Sequence, residues 1–165
     1  MLTHFNEDGR ARMVDVGGKE RTSRRAVARC FVELPEAVYK ILREGEIAKG
    51  DPVKVAELGG IMGAKRTPDL IPLCHPVNLE SVRVRCELTE KKRLRIECEA
   101  AAKDVTGVEM EALVGVTVAA LVFYDMCKGI DKGMVIKEAR LLEKSGGRSG
   151  NWKSESGKIE SEENI

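Results

Sequence analysis

Two tracts hold residues whose types and spacing suit chemistry. The first runs Lys65-Arg66-Thr67-Pro68-Asp69-Leu70-Ile71-Pro72-Leu73-Cys74-His75-Pro76. Pro72 and Pro76 stiffen the backbone around His75, since proline removes chain entropy. Imidazole is the side chain best suited to proton transfer near neutral pH. A buried structural histidine is the competing reading. A Cys74–His75 nucleophile pair is disfavoured, because adjacent residues rarely face each other, and Cys74 reads as packing. The second tract begins Gly107-Val108-Glu109-Met110-Glu111-Ala112-Leu113 and reaches Tyr124-Asp125-Met126-Cys127-Lys128. Asp125 and Lys128 are spaced to share a helical face. A surface ion pair is the simple reading. The apolar neighbours on either side suggest instead a pair with shifted pKa values that can act as acid and base. Glu109 and Glu111 fall in the first turn, where the helix dipole favours carboxylates, so capping and a site role are both open for them.

Spacing along this helix carries a constraint. Glu111 and Asp125 fall on nearly the same face but about 21 Å apart along the axis, at roughly 1.5 Å per residue. One small ligand cannot touch both within one chain, so a shared site needs a long ligand or a second chain.

The third group is cationic: Arg24, Lys49, Lys65, Arg66, Lys128, Lys144 and Arg148. Lys49 adjoins Gly50, and Lys144 and Arg148 bracket Ser145-Gly146-Gly147. Glycine beside a cation lets backbone amides and the charge approach a phosphate together. A Walker A loop is absent. Together with an acid–base pair, these cations suggest a phosphorylated substrate.

The elements that must position these groups can be read from periodicity and capping. Arg24–Leu34 reads as a strand, although its alanines also fit a helix. Pro35 suits a helix start, Glu36–Arg43 forms the helix, and Gly45 ends it. Asp51 as N-cap and Pro52 at the first position open a second helix through Lys65. Gly59, Gly60 and Gly63 weaken that helix by about 1 kcal/mol each relative to Ala, and their use is close approach of a neighbouring backbone. Val82, Val84, Cys86 and Leu88 alternate with Arg83, Arg85 and Glu87. Leu94, Ile96, Cys98 and Ala100 alternate with Arg95, Glu97 and Glu99, and a turn at Glu90-Lys91-Lys92 makes these runs a hairpin. A helix from Gly107 to Lys128, stopped by Gly129, and a strand from Met134 to Leu142 follow. The order β-α-α-β-β-α-β predicts an α+β fold, a ferredoxin-like antiparallel sheet with helices packed on one face. The opposite, charged face then meets water or another subunit. Residues 1–22 read as a loose N-terminal arm, 23–150 as a single domain, and 151–165 as a charged, disordered tail.

Bulk properties narrow the function classes. At 165 residues the chain is long enough for one self-sufficient core. A formal charge of +1 gives no electrostatic case for nucleic-acid binding. Five cysteines without a CxxC pair or a signal peptide argue against disulfides and zinc knuckles, and for a reducing cytoplasm. The longest apolar run, Ala112 to Tyr124, is too short to span a bilayer and reads as a buried helix.

Several tracts taken together resemble the molybdenum cofactor biosynthesis protein C family. They are Lys49-Gly50-Asp51, Ala64 to Thr67, Asp69 to Pro76, Thr106 to Leu113, Tyr124 to Lys128 and Leu141 to Gly150. Leu2-Thr3-His4-Phe5 and Met13 to Val16 are similar to it as well, so the likeness covers residues 2 to 153. The resemblance implies a lyase of molybdopterin formation. Such an enzyme converts 3',8-cyclo-7,8-dihydroguanosine 5'-triphosphate, made from GTP by a radical enzyme, to cyclic pyranopterin monophosphate and pyrophosphate. It also implies a ferredoxin-like fold and a homohexamer, a trimer of dimers with sites at the dimer interfaces. By the same resemblance Asp125, Lys128 and Lys49 are catalytic. Leu73, Cys74, His75, Met110, Glu111 and Glu109 line the substrate pocket, and Arg24, Lys144 and Arg148 hold the triphosphate. The rearrangement needs proton transfers but no redox step, so no metal or other cofactor is expected. Nucleic acid and membrane are not expected partners. The rival reading is a non-catalytic purine-nucleotide-binding module on the same fold, which leaves Asp125 and His75 without a task.

Overall fold

The computed structural model of the chain describes residues 4–6, 8–45 and 50–155. β1 (Thr22–Glu33) is a strand, not a helix: Ala26, Ala28, Cys30 and Val32 are buried and alternate with half-buried Val27, Arg29 and Glu33, and only Phe31, buried as well, departs from the pattern. Pro35 is the N-cap of α1 (Glu36–Glu44), and Gly45, at φ 70°, closes it by donating its N–H to the Ile41 carbonyl. The carboxylate of Asp51 caps α2 (Pro52–Lys65), accepting from the N–H groups of Val53 and Lys54 at 3.0 and 3.4 Å. A short helix not foreseen in the sequence, α3 (Thr67–Leu70), follows. It forms because the fully buried Thr67 hydroxyl donates to the Ala64 carbonyl at 2.9 Å and folds the chain back on α2.

The hairpin is β2 (Leu79–Thr89) and β3 (Arg93–Asp104), with Lys92 in the left-handed region of its turn. α4 runs Glu109–Cys127. Gly129 does not provide a left-handed stop; instead Ile130 N–H donates to the Cys127 carbonyl at 2.9 Å and turns the chain away. β4 (Val135–Ser145) continues past Leu142 because its last residues pair with Arg25 and Ala26. A two-residue strand, β5 (Trp152–Lys153), then extends the sheet beyond residue 150.

All strand pairs are antiparallel, in the order β2-β3-β1-β4-β5. The first four strands give the α+β, ferredoxin-like arrangement expected from the element order. α2 and α4 pack together on one face of this sheet. Gly60 allows the contact, since a Cβ there would sit 2.8 Å from the Gly115 carbonyl oxygen. Gly59 and Gly63 make room for the side chains of Val122 and Val118. By length and composition α4 could cross a bilayer, but its buried residues, Ala112, Val116, Ala119, Ala120 and Phe123 among them, belong to the core between sheet and α2. The opposite sheet face carries Arg25, Arg29, Arg83, Glu97, Glu99 and Glu143 in ion pairs across the strands, including Arg29–Glu97 at 2.9 Å.

Candidate active site

The loop after α3 is held at its far end by a buried carboxylate. Asp104, the last residue of β3, accepts the N–H of Asn78 at 3.1 Å and that of Val105 at 2.8 Å. Burial opposes its ionisation, but these two donors, with Arg21 and Arg24 nearby, hold its pKa below the ordinary carboxylate range. Arg24 reaches the same corner. Its Nε donates to the Asp104 carbonyl at 3.1 Å and an Nη to the Val105 carbonyl at 3.2 Å.

The strand opposite supplies the next cations through an irregularity. Ala28 pairs with Leu141 and Val27 with Glu143, so Leu142 is an extra residue and the inside–outside parity of β4 reverses. Glu143 thereby turns to the open face and pairs with Arg25. Lys144, opposite Ala26, turns to the side that holds Arg24. It donates to the Ser149 hydroxyl and, at 2.7 Å, to the Gly150 carbonyl, closing its own loop. Gly146 and Gly147 lie at φ +89° and +74°, and a Cβ on Gly147 would fall 1.6 Å from Arg24 Nη1. Only glycine lets this turn lie against the guanidinium.

Two adjoining cavities result. The larger, about 490 Å³, is lined by Ile71, Pro72, Leu73, Cys74, His75 and Met110, with His4 at its edge. The smaller, about 230 Å³, is lined by Lys19, Arg24, Lys144 and Arg148. Thr106, Gly107 and Glu109 border both. None of those four cations makes an ion pair with a carboxylate of a described residue, in contrast to the paired arginines of the open sheet face. An apolar, imidazole-bearing cavity beside unpaired cations suits a flat heterocycle joined to a polyphosphate.

Glu111 is the unusual member. It is 1% exposed, and neither carboxylate oxygen has a hydrogen-bond partner among the described residues. Burial, reinforced by Glu109 and opposed by its own backbone N–H, pushes its pKa up to about 7. Glu109 and Glu111 do not cap α4, whose N-cap residue is Val108. Instead Glu109 folds back over Gly107. Burial, then Glu111 and Glu109, also raise the pKa of Cys74, so its sulfur is a thiol at neutral pH.

Asp125 and Lys128 lie at the opposite end of α4. They form an ion pair, but in this chain both side chains are largely exposed, at 69% and 53%. The apolar setting expected from the neighbouring residues is therefore corrected. Over Val118–Phe123 the helix buries Ala119, Ala120 and Phe123, and the 3.6-residue period turns Leu121 and Asp125 outward. The carboxylate's hydrogen bond raises the pKa of Lys128. Lys49 lies outside the described residues. The chain thus brings together Leu73, Cys74, His75, Glu109, Met110, Arg24, Lys144 and Arg148, with buried Glu111 close to Cys74, and leaves Asp125 about 21 Å from Glu111 along α4, at roughly 1.5 Å per residue, with Lys128 beyond it. Neither composition nor spacing points to His4 or Asp104, although His4 lies in the Leu2–Phe5 tract of the family likeness. For Lys19 the available signal is Gly17-Gly18 before it, a glycine-beside-cation pattern like that at Lys49. Among the described residues no group of three or more His, Cys, Asp or Glu could hold a metal ion.

Fold and cavities together define an α+β protein with a single antiparallel sheet and a cation-lined pocket at one end of its core helix. Residues 13–147 match the MoaC family, and the chain belongs to that family. It is 50% identical to the cyclic pyranopterin monophosphate synthase of Peptoclostridium acidaminophilum over 155 residues, 94% of this chain and 98% of that one. It is 53% identical to the protein of the same name from Heliobacterium modesticaldum over 152 residues, 92% of this chain and 96% of that one. The synthase of Listeria monocytogenes serotype 4b is 49% identical over 154 residues, 93% and 96% of the two chains. The resemblance drawn from the short tracts is borne out.

Proposed function

We propose that this chain is a lyase that forms cyclic pyranopterin monophosphate, the product for which its relatives are named, in molybdenum cofactor biosynthesis. The substrate is 3',8-cyclo-7,8-dihydroguanosine 5'-triphosphate and the second product is pyrophosphate. The observation that carries the reading is that the two cavities adjoin, sharing Thr106, Gly107 and Glu109 in their walls. Ring and triphosphate of one substrate can occupy both at once.

Arg24, Lys144 and Arg148 hold the triphosphate and neutralise the charge that develops as pyrophosphate leaves. Leu73, Cys74, Met110 and His75 enclose the ring. Glu111 keeps a proton near neutral pH and so offers the ring system a donor. Asp125 and Lys128, with Lys49, carry the proton transfers of ring opening and closure. They come from a neighbouring chain, a reading supported by their exposure and by the length of α4 that separates them from Glu111. The assembly is a homohexamer, a trimer of dimers with the sites at dimer interfaces. Val55, Leu58 and Met62, which share an exposed face of α2, and exposed Leu121 on α4 supply apolar surface for it. The enzyme works in the cytoplasm, downstream of a radical enzyme that cyclises GTP.

The test is incubation with the cyclised nucleotide while pyrophosphate and the pterin product are measured. The native chain turns over, whereas Asp125→Asn and Lys128→Ala assemble normally and form little product. A native chain that binds the nucleotide but releases no pyrophosphate is a binding module, and the proposal fails. Normal turnover by both variants removes the mechanism.

A further inference from the structure

We propose that the N-terminal arm is a built part of the substrate site, with His4 contacting the purine-derived ring and Lys19 serving as a fourth cation on the polyphosphate. The inference rests on the function proposed above. It reaches residues that function does not use, and His4 lies ahead of the 13–147 span that matches the family.

The arm is held by its own hydrogen bonds. A bridge joins Phe5 to Ala11, and Arg12 N–H donates to the His4 carbonyl at 2.8 Å. Asn6 exchanges with Arg10 twice, through its N–H at 3.0 Å and its side-chain oxygen at 2.7 Å. Gly9, at φ +73°, completes the turn and donates to the Asn6 carbonyl. This tight hairpin fixes His4 at its open end. The chain contains two histidines, and both line the same cavity of about 490 Å³. A second turn positions the lysine. Lys19 N–H donates to the Val16 carbonyl at 3.0 Å, and the Asp15 carboxylate accepts from Gly17 N–H at 2.8 Å.

Lys19 is half-buried although Gly18 and Glu20 on either side are exposed. A partly buried lysine with no carboxylate partner among the described residues is placed to take an anion from outside the chain. No described carboxylate pairs with Lys19, and its companions in the cavity are Arg24, Lys144 and Arg148. The chemistry that fits is a polyphosphate. His4 faces the other half of the ligand. Two imidazoles in one cavity can donate to and accept from the edge of a nitrogen heterocycle.

Binding to the full-length, assembled chain carrying Asp125→Asn separates this inference from turnover. The probes are the cyclised nucleotide and inorganic tripolyphosphate, measured by titration calorimetry. Lys19→Ala weakens both about tenfold, as loss of one charge-assisted contact does, and Lys19→Arg restores tripolyphosphate binding. His4→Ala weakens the nucleotide about tenfold but changes tripolyphosphate less than twofold, and His4→Gln recovers part of the nucleotide affinity. The inference is overturned if Lys19→Ala leaves tripolyphosphate affinity within twofold. It is equally overturned if His4→Ala and His4→Gln weaken both probes alike, which marks a structural arm, or weaken neither. Failure of the native chain to make product, with these binding differences intact, sinks the proposed reaction and leaves the arm's role standing.

Discussion

Glu111 offers a direct physical test, because its burial without a partner has a calculable consequence for stability. An ordinary glutamate ionises near 4.5, and in this fold the value rises to about 7. Below pH 4.5 both folded and unfolded chains hold the proton, and the residue makes no pH-dependent contribution. Between 4.5 and 7 the unfolded chain releases it while the folded chain retains it. Stability therefore falls as pH rises, and the loss is complete above about 7. The gap is roughly 2.5 pH units at about 1.36 kcal/mol each, or about 3 kcal/mol. Glu111→Gln keeps the shape and cannot ionise. Urea unfolding of both proteins from pH 4 to pH 8, at one chain concentration, isolates the residue. The native chain should lose about 3 kcal/mol relative to the variant across that range, most of it between pH 4.5 and 7. A difference that stays flat would refute the assignment of a proton-bearing Glu111. A difference of opposite sign would mean that a cation supplied by assembly holds the carboxylate ionised.

Three further substitutions test how the site is built. Gly147→Ala places a Cβ against Arg24 Nη1 at a left-handed backbone position, so tripolyphosphate affinity should fall about tenfold in calorimetry; unchanged affinity would show that Arg24 does not contact the polyphosphate. Lys144→Ala removes a cation that faces Arg24 from the paired strand, so tripolyphosphate affinity should fall about tenfold in the same measurement; retained affinity in a folded variant would disprove its contact with the polyphosphate. Gly60→Ala gains about 1 kcal/mol of helix propensity but sets a methyl 2.8 Å from a backbone carbonyl that cannot swing aside. Overpacking of about 1 to 3 kcal/mol outweighs or cancels that gain, so chemical denaturation should find no stabilisation.

The strands and helices were legible because their signals are local. Alternation at Val82 to Leu88 and Leu94 to Ala100 reports a half-buried sheet, and Asp51-Pro52 and Gly45 mark helix ends through the backbone groups beside them. The tracts from Leu73 to Pro76 and Gly107 to Leu113 carried the family likeness without any fold. Convergence is a different kind of information. Arg24 and Lys144 are 120 residues apart in sequence, and only strand pairing, together with the bulge at Leu142, brings them to one side of the sheet. The apolar run before Asp125 announced a buried helix but not which residues of each turn meet the sheet, so Asp125 came out exposed. α3 and β5 carry no periodic signal, because a buried hydroxyl contact and two pairing residues create them. Glu111 shows the division most clearly: its position in the first turn of α4 could be read from spacing, whereas its proton is retained through desolvation by residues distant in the chain.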